Sequence, residues 1–137
     1  MYRITREFRF SYGHRLLGYE GKCARIHGHD GLLRVILERD RLDGTGMVTD
    51  FTEVKRIVSG WIDETFDHRL ILHRDDPAVE ALRAIDEPIA VVDFNPTAEN
   101  LARHIFESIR AKGLPVVEVS LDETPSCSAG YRSGDGG

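Results

Sequence analysis

The order of periodic segments predicts an α+β chain. Two strands, two helices and two further strands would form a layer sandwich built on one antiparallel sheet of four strands. Three observations carry this. Apolar and polar residues alternate from Tyr2 to Phe10 and again from Leu32 to Glu38. Two later stretches repeat apolar residues at helical spacing, and Val116, Val117, Val119 and Leu121 supply a further extended run.

In the first strand Tyr2, Ile4, Phe8 and Phe10 oppose Arg3, Thr5, Glu7 and Arg9, with only Arg6 interrupting the apolar face. It delivers His14 a few residues past its end. A polar loop from Arg15 to Lys22 leads to Cys23–His29, and the second strand runs from Gly31 to Arg39 with Leu33, Val35 and Leu37 on one face. A loop-joined pair of this kind is expected to be antiparallel, which sets His14 against His27 and His29. Asp43–Gly46 reads as a turn. Asp50 reads as a helix N-cap with Glu53 three residues on, an acidic capping box. Val54, Ile57, Val58, Trp61, Ile62 and Phe66 then give an amphipathic helix ending near Asp67–His68, with Trp61 and Phe66 assigned to the core. A charged stretch from Arg69 to Asp76 follows, then a short helix over 77–85 and an extended segment over 89–94. Asn95-Pro96-Thr97 is a helix entry with Thr97 as N-cap; Leu101, Ala102, Ile105, Phe106 and Ile109 are the buried stripe, and Gly113 ends the helix. The fourth strand is expected over 126–132, followed by a frayed tail over 133–137.

At 137 residues, 41% hydrophobic and 30% charged, the chain reads as one globular domain spanning 1–137. A net charge of −5 argues against a general nucleic-acid binder, and no apolar run approaches a membrane span or a signal-peptide core. Two cysteines, Cys23 and Cys127, are too few for a disulfide framework and suit a reducing, cytoplasmic setting; Cys127 reads as structural.

Chemistry concentrates early in the chain. His14, His27 and His29 fall within sixteen residues that also hold Cys23. His27 and His29 share one face of an extended segment, and His14 can join them from a neighbouring strand. Three neutral imidazoles leave one position of a tetrahedral metal open, the arrangement of a catalytic site, and they accept several divalent ions. From the residues alone this stands level with a plain alternative, that the histidines are unrelated surface or core residues. Asp67-His68 likewise reads as a histidine placed favourably at a helix C-terminus, Glu123 as a strand-end charge.

Six pieces in register decide between these readings: Phe10-Ser-Tyr-Gly-His14, Cys23-Ala-Arg-Ile-His27-Gly-His29, Gly46-Met-Val-Thr-Asp50-Phe51, Asp67-His68, Asn95-Pro-Thr-Ala-Glu99-Asn100 and Glu123-Thr124. Together they resemble the 6-pyruvoyltetrahydropterin synthase / 6-carboxytetrahydropterin synthase family over nearly the whole chain. The resemblance implies the tunnelling fold, a four-stranded antiparallel sheet with two helices packed on one face, with zinc held by His14, His27 and His29. It implies Cys23, Asp67 and His68 as the catalytic set, Glu123 as the pterin anchor and Thr97 at the pterin pocket. It also implies assembly as a hexamer, a dimer of trimers, with active sites at subunit junctions. The implied activity is a carbon–oxygen lyase acting on 7,8-dihydroneopterin triphosphate and giving 6-carboxytetrahydropterin, acetaldehyde and triphosphate for queuosine-type 7-deazapurine synthesis. The alternatives are the branch that forms a pyruvoyl side chain, or a non-catalytic pterin binder with structural zinc. The chain departs from the family pattern where Tyr12 replaces a small residue, Gly31 an aromatic one and Leu72 an asparagine, and in a longer segment over 73–92.

Overall fold

The computed structural model describes residues 1–134; the fraying expected at the tail concerns in part residues 135–137, which lie outside them. The chain forms strands β1 (Tyr2–His14), β2 (His27–Arg39), β3 (Arg69–His73), β4 (Ile89–Val92), β5 (Val116–Thr124) and β6 (Cys127–Arg132). Its helices are α1 (Phe51–Thr65), α2 (Ala78–Arg83) and α3 (Ala98–Ala111), with a 3-10 turn over Lys22–Ala24.

The architecture is α+β, but the sheet has six strands rather than four, in the order β4-β3-β1-β2-β5-β6. The expected antiparallel strands are its β1-β2-β5-β6 portion. The two additional strands come from the segment over 69–92: β3 lies parallel to β1, and β4 parallel to β3, with α2 as the crossover between them. Such a unit needs a crossover of about a dozen residues, which is why the longer segment is there. The sequence signal for β3 is weak because it is only five residues long, is bracketed by Arg69 and His73, and is buried on both faces at Ile71 and Leu72.

β1 and β2 each run thirteen residues and pair along their whole length, so both strands extend further than their hydrophobic alternation indicates. The last three steps of that ladder are Tyr12 opposite His29, Gly13 opposite Gly28 and His14 opposite His27. Alternation then dictates the rest. Phe8, Phe10, Tyr12 and His14 lie on the face of β1 that meets Leu33, Val35 and Leu37 of β2, Val119 and Leu121 of β5, and the inward stripes of α1 and α3 in a single core. The histidines are therefore the polar continuation of the core face.

Both long helices begin as expected. The Asp50 carboxylate accepts from Thr52 N–H, while Glu53 turns to pair with Arg56 instead of closing a reciprocal box. Thr97 Oγ1 accepts from Asn100 N–H at 3.1 Å. Gly113 adopts φ 94°, the left-handed geometry that ends α3 without a Cβ clash. Cys127 is a correction: it is exposed at the start of edge strand β6 rather than a packed apolar residue, and both thiols are free.

The loop that leaves His14 is fixed by a buried ion pair. The Arg15 guanidinium spans both oxygens of Asp76, whose side chain is fully buried and also accepts from Ala78 N–H at 2.8 Å. Hydrogen bonding from Arg15, then from Ala78, holds the Asp76 carboxyl below the ordinary carboxylate range. Removing one partner of a buried pair leaves an uncompensated charge. Arg15→Met should thus lower unfolding stability by about 3 kcal/mol in urea titrations. The depressed folded pKa means the unfolded chain binds this proton more readily, so the contribution is complete above about pH 4 and fades as pH falls through the folded value. The wild type should accordingly lose stability more steeply in acid than Arg15→Met.

Candidate active site

His14, His27 and His29 converge at the end of the β1–β2 ladder with one ligand atom from each within 4.8 Å of the others. Their ring centroids lie 4.6 to 5.0 Å apart. His14 is 2% exposed, and burial drives its pKa down to about 4 with help from the neighbouring imidazoles, so it is neutral at pH 7. Burial also lowers His29.

Two backbone carbonyls set the rings. His14 Nδ1 lies 2.7 Å from the Pro96 oxygen and His27 Nδ1 2.7 Å from the Arg25 oxygen. A carbonyl only accepts, so each Nδ1 carries the proton and each Nε2 presents its lone pair. His14 Nε2 and His29 Nε2 face one another at 3.1 Å. Three imidazoles, two of them oriented by outer hydrogen bonds and all with nitrogens crowded around one point, fit a divalent metal ion.

Glu123, at the end of β5, approaches from the side. Its carboxylate oxygens are 3.8 Å from His14 Nε2 and 3.7 Å from His29 Nε2. It lines a hollow of about 600 Å³ with His29, Arg9, Arg34 and Thr124, and another of about 320 Å³ with Ala98, Glu99 and Cys127. The carboxylate thus stands between the imidazoles and open space.

The motif 95–100 supports the site through its backbone. Asn95 Oδ1 accepts from Leu17 N–H at 2.8 Å and Asn95 Nδ2 donates to Leu17 O at 3.2 Å, tying the loop after β1 to the start of α3. Pro96 presents its carbonyl to His14, Thr97 caps α3, and Asn100 Nδ2 donates to Asn95 O at 2.9 Å. Thr97 is therefore a cap, and its neighbour Ala98 shares a hollow with Glu123.

The expected catalytic trio is placed differently. Cys23 is half-buried in the 3-10 turn, whose loop is closed by Leu16 N–H donating to Cys23 O at 2.8 Å. Asp67 and His68 follow α1. Asp67 Oδ1 accepts from Ser11 N–H at 3.1 Å and Asp67 Oδ2 lies 2.9 Å from His68 Nδ1. His68 has φ 58°, its own N–H is bonded to Ser11 O, and its side chain is 80% exposed. Among the described residues no hydrogen bond or ion pair joins Cys23, Asp67 or His68 to the histidine cluster.

Tyr12 is the residue that motif reading passes over. It is 3% exposed, its ring sits 5.4 Å from that of His14 and 5.6 Å from that of His29, and its hydroxyl has no partner. Burial, and then the Glu123 charge, push the phenol pKa up. A Cβ on Gly31 would come within 3.0 Å of Tyr12 Cε1, so the tyrosine at 12 and the glycine at 31 form one packed pair.

The 6-pyruvoyl tetrahydropterin synthase family model matches residues 3–134. The 6-carboxy-5,6,7,8-tetrahydropterin synthase of Rickettsia felis is 38% identical over 134 residues, covering 93% of this chain and 97% of the relative. That of Haemophilus influenzae is 32% identical over 140 residues, covering 96% and 99%. Among solved structures, the 6-pyruvoyl tetrahydropterin synthase of Caenorhabditis elegans aligns with TM-score 0.73 at 28% identity, covering 97% of this chain and 96% of that one. A Wolinella succinogenes structure, described as an uncharacterized protein, aligns with TM-score 0.85 at 30% identity, covering 97% and 98%. With the histidine cluster built into the full-length match, this chain belongs to the 6-pyruvoyl tetrahydropterin synthase family of pterin-processing enzymes.

Proposed function

We propose that the chain is a zinc-dependent carbon–oxygen lyase that converts 7,8-dihydroneopterin triphosphate to 6-carboxytetrahydropterin, acetaldehyde and triphosphate, a step toward queuosine-type 7-deazapurines. The observation that carries this reading is the cluster of three imidazoles at the mouth of the core, flanked by a carboxylate, in a chain whose relatives bear that enzyme's name. His14, His27 and His29 would hold the zinc, which when bound supplies Lewis acidity to a substrate hydroxyl.

The rest of the chemistry belongs to the side chains. Glu123 accepts hydrogen bonds from the guanidine-like edge of the pterin, and Thr97 holds the adjoining start of α3. Cys23, whose thiol would ionise more readily beside a cation, removes a proton from the substrate side chain. His68, paired with Asp67, moves the second proton. The exposure of His68 favours its use across a subunit junction, in a hexamer built from two trimers. Free thiols at Cys23 and Cys127 favour a cytoplasmic setting, and no helix of the described residues is long and apolar enough to cross a membrane.

Zinc-loaded protein given 7,8-dihydroneopterin triphosphate should release acetaldehyde, read with alcohol dehydrogenase and NADH, at a rate that falls to background after chelation. A fully loaded preparation releasing none would contradict the proposal.

A further inference from the structure

We propose that Tyr12 is a positioning residue for Glu123: its buried hydroxyl is the donor that holds the Glu123 carboxylate in place once the three imidazoles carry a metal. The inference rests on the reading above of Glu123 as the pterin-anchoring carboxylate.

The geometry begins with the ring. Tyr12 leaves β1 and lies over Gly31 of β2, with Cε1 3.0 Å from where a Cβ there would stand; Leu121 Cδ1 of β5 lies 3.4 Å from the same point. The ring therefore spans the strand pair toward β5. Leu33 pairs with Leu121 and Leu32 with Asp122, so Glu123 stands next along β5, toward the histidine end of the sheet. Phenol and carboxylate flank the same two imidazoles, with ring centroids 5.4 and 5.6 Å away for Tyr12 and oxygens 3.8 and 3.7 Å away for Glu123.

The carboxylate oxygens of Glu123 lie 3.8 and 3.7 Å from His14 Nε2 and His29 Nε2, and no hydrogen bond reaches them among the described residues. A ring nitrogen whose lone pair binds a cation has no proton there to donate, so a loaded site leaves the carboxylate in need of another donor. Tyr12 Oη is the buried side-chain polar atom without a hydrogen-bond partner among the described residues. A neutral phenol can donate, and a hydrogen bond to an ionised acceptor is of the stronger class. An unpartnered buried hydroxyl is costly and calls for an explanation.

The test compares wild type, Tyr12→Phe, Glu123→Gln and the double variant, each loaded with cobalt(II) and titrated with neopterin, a pterin lacking the triphosphate. Tyr12→Phe should weaken neopterin about tenfold, as loss of one charge-assisted hydrogen bond would, while cobalt affinity stays within about threefold. In the Glu123→Gln background the same change should cost less than about twofold, because contacting residues are not additive. In the metal-free chain Tyr12→Phe should raise Tm by a few degrees, since it deletes an unsatisfied group without opening a cavity. An equal loss in both backgrounds would assign the hydroxyl to the ligand itself and overturn the pairing, as would no loss at all. If cobalt-loaded wild type binds no neopterin, the pterin reading fails separately. The visible cobalt bands then decide: they should differ between wild type and Tyr12→Phe, and identical bands overturn the proposal.

Discussion

His27→Ala protein is expected to purify folded but without metal, and to be inactive. His27 is only half-buried at the end of β2, so truncating it opens no cavity in the core. It also ends a hydrogen bond to Arg25 O that serves only to aim the ring. Losing an outer partner of a metal ligand costs up to about 100-fold in affinity, and losing the ligand itself should exceed that. Metal content by atomic emission, beside an unchanged far-UV circular dichroism spectrum, checks both halves. His14→Ala is a less clean test, because a ring 2% exposed and bonded to Pro96 O also supports the packing between β1 and the start of α3.

Cys23→Ala separates metal binding from catalysis. The backbone bond that closes its loop, Leu16 N–H to Cys23 O, survives the substitution, and the Nδ1 contacts that aim His14 and His27 involve other residues. Zinc should therefore stay bound, while loss of a positioned proton acceptor should lower kcat by about 10²- to 10⁴-fold. Steady-state kinetics on protein of measured zinc content reads this directly. A variant that loses its zinc together with its activity would instead make Cys23 a ligand.

The histidine cluster was legible in the sequence because period-two alternation is rigid. Once Phe8 and Phe10 face the core, Tyr12 and His14 must follow, and the i, i+2 spacing of His27 and His29 forces them to one face. Caps were legible for a similar reason, since Asp50 and Thr97 satisfy orphan N–H groups within their own turns. What local pattern does not contain is contact between distant segments. The short helix and the extended segment after it were read as α2 and β4, but their parallel unit with β3 was not, because a five-residue strand buried on both faces does not alternate. Asp76 carried no signal until the fold brought it to Arg15. Tyr12 and Gly31 looked like two separate departures from a family pattern; they are one exchange of volume across a strand pair. The Asp67–His68 pair was read by motif alone, and among the described residues no hydrogen bond or ion pair ties it to the histidines.

The central claim is tested most directly by identifying the pterin product. Zinc-loaded protein incubated with 7,8-dihydroneopterin triphosphate should give, by mass spectrometry, 6-carboxytetrahydropterin and free triphosphate in equal amounts. A 6-pyruvoyl product, or substrate recovered intact from a fully loaded enzyme, would contradict it.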